Sequence, residues 1–324
     1  MVISFWGVRG SLAAPMSTGE YRNKLKSVLR LVPVGGFADE SSIDRFIHEL
    51  PGPLQRVVGG NTTCVSVTPE DGTTCIIDGG SGLRNLGDRL MKGPAGEGKA
   101  EIHIFITHTH WDHICGIPFF KPLYIPGNKI HFYSTLDDLH DRLRYQQTER
   151  FFPLAFDDMG ATTSFTKMTM GLPLEFENDL VVSCRPLKHP SGSTAYRFED
   201  GGRSFIFATD VEFNGEDLEI LSKIERPDTF FDGADLLVMD AQYTLDESFQ
   251  KFDWGHTSVT MVVNCATRWN IKNLMLTHHE PAYRDKKLYS NLMMALEHRN
   301  VLQIDHLKIY LARENTKVIL PPRR

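Results

Sequence analysis

The feature that most constrains this chain is a cluster of metal-ligand residue types directly after an apolar run. Residues 102–106 (Ile-His-Ile-Phe-Ile) are rich in β-branched and aromatic side chains, which is typical of a buried strand. Four potential ligands follow within six positions: His108, His110, Asp112 and His113. Packing alone does not explain such a cluster at a strand end, so the run predicts a metal site at the edge of a sheet.

The spacing within this cluster predicts two neighbouring metal positions. Residues two apart in an extended segment point the same way, so His108 and His110 can bind one ion. The chain then turns, and Asp112 and His113 can face an adjacent position. Asp78 lies at the end of an earlier strand pattern and has two interpretations. Its carboxylate can accept the second N–H of a metal-bound imidazole, or it can accept backbone N–H groups of the local turn.

Composition narrows the class of protein. The chain has 324 residues, 41% of them hydrophobic and 23% charged, which is ordinary for a soluble globular protein. A net charge of −6 and the absence of a Lys/Arg block argue against a nucleic-acid partner, although a local basic patch stays open. Neither a signal-peptide pattern nor a long apolar run occurs. We therefore expect a cytoplasmic protein without membrane contact.

The number and spacing of the cysteines are also typical of a cytoplasmic protein. There are five, they are scattered, and none has C-x-x-C spacing, so reduced thiols are expected. They are Cys64, Cys75, Cys115, Cys184 and Cys265.

Later apolar runs also end in potential site residues. The runs at 180–184, 203–208, 236–239 and 271–276 lead to His189, Asp210, Asp240 and the pair His278-His279, respectively. Loops at strand ends are where a rigid frame positions functional side chains. His256 lies just before a helical pattern that Thr257 or Ser258 can cap.

The run Thr-His-Thr-His-Trp-Asp-His at 107–113 resembles the H-x-H-x-D-H signature of the metallo-β-lactamase superfamily. The resemblance implies an α/β fold: an αββα sandwich of two mixed sheets flanked by helices, with metals at one edge. We expect a single domain over 1–324, with a helical insertion at about 17–56 and a loop and helix insertion at about 118–175.

The resemblance also implies a ligand set for two divalent ions. His278 is preferred over His279 because the Leu-Thr-His run makes it the strand-end residue. Zn²⁺ is the expected metal, with Mn²⁺ or Fe²⁺ as alternatives. The first ion would be held by His108, His110 and His189, the second by Asp112, His113 and His278, with Asp210 bridging them.

Further motifs select a branch of the superfamily. Asp210 stands where class B lactamases carry a cysteine, which disfavours β-lactam hydrolysis. Gly255-His256-Thr257-Ser258 together with Asp240 resembles the phosphodiesterase branch, which includes tRNase Z and the cyclic phosphodiesterases of phosphonate breakdown. In that branch an acidic residue orients the histidine beside the metals. A carboxylate partner favours a protonated imidazole, so His256 is expected to donate to phosphate.

These inferences predict a phosphodiesterase that cleaves a small or cyclic phosphodiester with a metal-bridging hydroxide. The expected catalytic residues are Asp112, His256 and Asp240. A thioesterase or lactonase is one alternative, a non-enzymatic sensor another, and a tRNA-processing endonuclease a third. The last is disfavoured by the acidic charge and the absence of a long Gly/Pro-rich arm. The expected partner is a small molecule, and a homodimer is expected only by analogy.

Overall fold

Two mixed sheets of seven strands each form the centre of the part of the chain that is described. The computed structural model describes residues 1–177, 179–217 and 230–323. The first sheet contains β1 (Val2–Gly7), β2 (Cys64–Thr68), β3 (Thr74–Ile77), β4 (Glu101–Phe105), β5 (Lys129–Ser134), β6 (Thr162–Lys167) and β14 (Lys317–Ile319). Its order is β14-β1-β2-β3-β4-β5-β6, and the pairs from β3 to β6 are parallel.

The second sheet has a closely related plan. It contains β7 (Leu174–Glu175), β8 (Val181–Leu187), β9 (Ser193–Asp200), β10 (Arg203–Ala208), β11 (Leu236–Asp240), β12 (Asn273–Thr277) and β13 (Lys308–Leu311). Its order is β13-β12-β11-β10-β9-β8-β7, with parallel pairs from β10 to β13. Parallel neighbours end at the same edge, so each sheet offers one edge where several loops meet.

The described ranges contain nine α-helices, some of which cover the outer faces of the sheets. They are α1 (Thr18–Leu29), α2 (Glu40–Glu49), α3 (Gly52–Gln55), α4 (Gly82–Leu90), α5 (Trp111–Ile114), α6 (Leu139–Gln146), α7 (Leu245–Gln250), α8 (Val259–Arg268) and α9 (Asp285–Val301). Short 3-10 helices lie at Pro94–Glu97, Ile117–Phe119, Lys121–Tyr124 and Phe156–Asp158. None of the helices in the described ranges combines the length and the apolar character that crossing a bilayer requires.

The alternation of side chains along the strands builds three apolar layers. On β10, Phe205 and Phe207 face the core between the sheets, whereas Ile206 and Ala208 face the layer beneath α8. A third layer, which includes Ile104, lies on the outer face of the first sheet. Sheets that are apolar on both faces must be covered on both, which gives the order helix, sheet, sheet, helix. The αββα sandwich expected from the resemblance is confirmed.

Candidate metal centre

The candidate site lies where parallel strands of both sheets end. Asp78 follows β3, His108 lies shortly after β4, Asp210 lies two residues beyond β10, Asp240 ends β11 and His278 follows β12. Asp78, Asp210 and His278 all have left-handed backbone conformations, with φ of 60°, 59° and 57°. Asp and His tolerate this region better than branched residues, and such backbone strain concentrates at functional sites.

One group of potential ligands is formed by three histidines and a carboxylate. His189 Nε2 lies 3.2 Å from His110 Nδ1. The Nε2 atoms of His108 and His189 lie 3.7 Å and 3.8 Å from Asp210 Oδ1. The potential ligand atoms of this group all lie within 4.8 Å of one another.

A second group lies on the other side of the same carboxylate. Asp112 Oδ2 lies 3.1 Å from His113 Nε2 and 3.2 Å from His278 Nε2. Asp210 Oδ2 lies 3.0 Å and 3.2 Å from the same two nitrogens. The seven residues that the resemblance suggested as ligands are therefore brought together, with Asp210 shared between the two groups.

The donor atoms fit divalent cations. Atoms that converge on one ion through bonds of about 2.0–2.2 Å lie at spacings like these. Buried His108 Nε2 is one of the polar atoms in the described residues that have no hydrogen-bond partner. A buried polar atom without a partner is costly, and a cation surrounded by imidazole and carboxylate satisfies it.

The electrostatics of the second group also favour cations. Burial alone lowers the pKa of His278, but Asp210 and Asp112 raise it to about 9. Burial opposes ionisation of Asp112, yet His113 and His278 hold the pKa of its carboxyl well below the usual range. The buried carboxylates thus require positive charge beside them. Imidazole protons and metal ions compete for that role, so metal binding releases protons.

Two of the ligand imidazoles have a hydrogen-bond partner at the nitrogen that faces away from the centre. His113 Nδ1–H donates to Asp78 Oδ2 at 2.7 Å, which is the ligand-holding contact considered for Asp78 from the sequence. The backbone N–H of Thr107 also donates to Asp78, at 2.8 Å. His189 Nδ1–H donates to the carbonyl of Gly255 at 3.1 Å. Such contacts fix ring orientation and leave the inner nitrogens directed at the centre.

Two glycines allow the backbone to approach ligand rings closely. A Cβ on Gly10 would lie 2.4 Å from the His278 ring, and one on Gly255 would lie 2.1 Å from His189 Nδ1. Gly255 also has a φ of +85°, which disfavours any residue with a side chain. Both glycines therefore shape the centre without contributing a ligand atom.

The structure distinguishes the two adjacent histidines. His278 faces the second group, whereas His279 Nε2–H donates to the carbonyl of Ala312 at 3.0 Å. Burial lowers the pKa of His279 to about 3, so this ring stays neutral. His279 is thus part of the packing between β12 and the chain that follows β13.

His256 and Asp240 form a pair next to the second group. His256 Nδ1–H donates to Asp240 Oδ2 at 2.7 Å. The rings of His256 and His278 stack with centroids 5.0 Å apart. The same Asp240 oxygen accepts the backbone N–H of Asp210 at 3.1 Å, so this carboxylate couples His256 to the shared residue.

Some contacts of the site were not foreseen from the sequence. The backbone N–H of Ser11 donates to Asp112 Oδ2 at 2.7 Å, and Ser191 Oγ lies 3.0 Å from His110 Nε2. The signals were present but incomplete: Gly10 precedes Ser11 and Gly192 follows Ser191, and glycine permits a tight loop near a ligand. Neither signal states which ligand is contacted.

Changing Asp78 to Asn should weaken metal binding about 10- to 100-fold, because the amide keeps the shape but removes the charge that holds His113. The measurement is a competition titration of Zn²⁺ against a chromophoric chelator. Asp235→Asn is the matched control, since Asp235 is a buried carboxylate at the opposite end of β11. Equal affinities for wild type and Asp78→Asn would contradict this role.

A sandwich of two mixed sheets with histidines and carboxylates gathered at its strand ends defines a candidate metal-dependent enzyme. Residues 73–279 match the beta-lactamase superfamily domain, and the chain belongs to that superfamily. A ribonuclease Z of Prochlorococcus marinus (strain MIT 9515) is 27% identical over 286 residues, covering 74% of this chain and 87% of that protein. The resemblance to the phosphodiesterase branch is thereby confirmed.

Two solved structures share the fold over almost the whole chain. The metallo-beta-lactamase fold protein YhfI of Bacillus subtilis has a TM-score of 0.62 at 15% identity, covering 98% of both chains. The short form of human tRNase Z has a TM-score of 0.58 at 16% identity, covering 99% of this chain and 100% of that one.

The inference from net charge against a nucleic-acid partner is wrong. A relative that covers 74% of this chain is named ribonuclease Z, so an acidic average does not exclude RNA. The physical reason is that net charge averages over the surface, whereas phosphate binding depends on local charge. A groove of about 770 Å³ between α1, α3 and the β13–β14 turn is lined by one acidic side chain, Glu314, and by four cationic ones: Lys24, Arg56, Arg313 and Lys317. Of these, Lys24 Nζ is paired with Asp285 Oδ2 at 3.0 Å.

Proposed function

We propose that this chain is a phosphodiesterase that cleaves RNA, of the kind that processes tRNA 3′ ends, with two divalent metal ions. The observation that carries the proposal is the position of Asp210, whose Oδ1 faces one group of histidines and whose Oδ2 faces another. Two ions close enough to share a carboxylate suit in-line displacement at phosphorus. The name of the ribonuclease Z relative favours RNA over a small phosphodiester.

The ligand roles follow the two groups. His108, His110 and His189 would hold one ion, and Asp112, His113 and His278 the other, with Asp210 shared. Imidazole and carboxylate together favour Zn²⁺, while Mn²⁺ and Fe²⁺ are the alternatives. When bound, such ions make water a better nucleophile and stabilise negative charge on phosphate oxygens.

His256 is the side chain that we propose to contact the reacting phosphate. Asp240 accepts its Nδ1–H, which fixes the ring and leaves Nε2 on the opposite side. With a proton on Nε2, the ring can donate to a non-bridging phosphate oxygen or to the leaving oxygen. Asp240 is then a positioning residue. A thioesterase has less use for such a donor, since the thioester group that reacts carries no negative charge.

The test is a cleavage assay with a precursor tRNA that carries a 3′ trailer, alongside metal analysis of the purified protein. We expect about two metal ions per chain, release of the trailer, and loss of activity after chelation that added Zn²⁺ or Mn²⁺ restores. The same tRNA without a trailer is the matched control. Bis(p-nitrophenyl) phosphate and a thioester complete the panel.

The panel separates the competing functions. Thioester hydrolysis with intact RNA would replace the proposal by a thioesterase. Turnover of the small diester with intact RNA would restrict the enzyme to small phosphodiesters. Tight RNA binding without turnover of any substrate by the metal-loaded protein would contradict an enzymatic role.

A further inference from the structure

A pocket of about 670 Å³ opens beside the loop that carries the first ligands. Its volume lies in the range of small-molecule binding sites. Its walls come from α5, α6 and the loops around them. Five aromatic side chains line it: Trp111, Phe119, Tyr145, Phe151 and Phe152.

These rings are exposed to an extent that packing does not explain. The exposed fractions are 76% for Trp111, 69% for Tyr145, 59% for Phe151 and 54% for Phe119. Large aromatic side chains usually bury most of their surface, and clustered exposed apolar surface marks a binding site. The cluster is therefore a candidate contact surface for a flat, apolar group.

The aromatic rings of the pocket are arranged so that some of their faces remain free to stack against a ligand. Phe119 and Phe152 pack edge to face with centroids 5.5 Å apart, and Tyr145 and Phe151 do so at 6.0 Å. In such pairs a neighbour covers at most one face of a ring. The remaining faces can stack against a planar ligand.

The pocket adjoins the loop that carries candidate metal ligands, although none of the seven ligands lines it. Thr109 lies between His108 and His110 in the chain, and both Thr109 and Trp111 line the pocket. Arg142 Nη1 donates to Thr109 Oγ1 at 2.9 Å, which ties α6 to the ligand loop. A ligand seated here would contact Thr109 and Trp111, which flank His110 in the chain.

We propose that this pocket holds an unpaired base of the RNA substrate, next to the phosphodiester that is cleaved. The inference rests on the proposed function. Aromatic side chains beside a phosphate-binding centre are the means by which proteins hold single-stranded RNA, because every base has a face that can stack.

The test combines variants of the protein with changes in the RNA. Tyr145→Ala and Phe151→Ala remove exposed rings, so the fold should be kept. Tyr310→Ala on β13 is the control, since Tyr310 is also exposed but lies on an edge strand outside the pocket. Each protein is assayed on precursor tRNA and on the same RNA with abasic residues on both sides of the cleavage position.

We expect each pocket variant to raise KM about 5- to 150-fold on the intact RNA, the range that one stacked base supports. The abasic RNA should raise KM for wild type by a similar factor. It should raise KM little further for the variants, because the contact is already lost. Tyr310→Ala should behave as wild type on both RNAs.

Binding separates this proposal from the proposed function. Affinity for a labelled single-stranded RNA and for its abasic counterpart is measured by fluorescence anisotropy with the metal-loaded protein, and oligomeric state by sedimentation. If wild type binds RNA in a base-dependent way that the variants lose, but does not cleave it, the base-binding pocket is supported and the proposed ribonuclease function is rejected. Cleavage and binding that are insensitive to bases and variants would overturn the pocket alone. A changed oligomeric state with unchanged RNA binding would overturn it in favour of a second copy.

Discussion

Changing Asp210 to Ala is expected to release both metal ions and to lower the rate of RNA cleavage about 10³-fold or more. The ions stabilise the transition state by several kcal/mol, and each loss of about 1.36 kcal/mol lowers the rate tenfold. The physical reason is that Asp210 is shared: Oδ1 faces His108 and His189, and Oδ2 faces His113 and His278. Metal content by mass spectrometry and single-turnover cleavage are the measurements.

Asp235→Asn is the matched control for this variant. Burial raises the pKa of Asp235, but hydrogen bonds from Lys272 and Arg323 outweigh burial and lower this pKa to about 2. The folded pKa lies below the unfolded value, so this stabilisation is present at neutral pH and is lost as pH falls towards 2. We expect Asp235→Asn to cost about 1–3 kcal/mol of unfolding free energy at pH 7, with unchanged metal content. Retention of two ions and activity by Asp210→Ala would contradict the shared-ligand role.

His256→Ala is expected to lower kcat for RNA cleavage about 10²- to 10⁴-fold while leaving metal content unchanged, because it removes a proton donor to the phosphate. KM should change little if the contact strengthens only in the transition state. The measurements are steady-state kinetics on the precursor tRNA and metal analysis of the same preparation.

His298→Ala is the control for this change. His298 lies on α9 and donates to Asn264 Oδ1 at 2.8 Å, in the outer helical layer. It should retain wild-type kinetics. If His256→Ala loses metal, His256 instead helps to bind the ions. If the variant keeps full activity, His256 has no catalytic role and only packs beside the start of α8.

Much of the site could be predicted from the sequence because four of its residues lie close together in the chain. His108, His110, Asp112 and His113 lie within one strand end and one helical turn, so strand alternation predicts two groups. His189, Asp210 and His278 were placed by resemblance to a family. The sequence left Asp78 between two interpretations, and the 2.7 Å contact with His113 decided in favour of one.

The error about nucleic acid has a physical origin. Net charge is a sum over the chain, and it contains no information on where the charges lie. Four cationic side chains meet in one groove only because α1, α3 and the β13–β14 turn pack together. Composition could not have predicted that arrangement.

The sequence by itself determined the sandwich fold, the superfamily and the types of residue available to bind metal. Only the tertiary structure decided which of them meet: His278 lies 166 positions from Asp112 in the chain, yet their side chains are 3.2 Å apart. It also decided that Asp210 and His278 take left-handed conformations, and that His279 turns towards Ala312. Propensity and spacing act over a few residues, whereas ligand convergence depends on how the parallel strands of two packed sheets end at one edge.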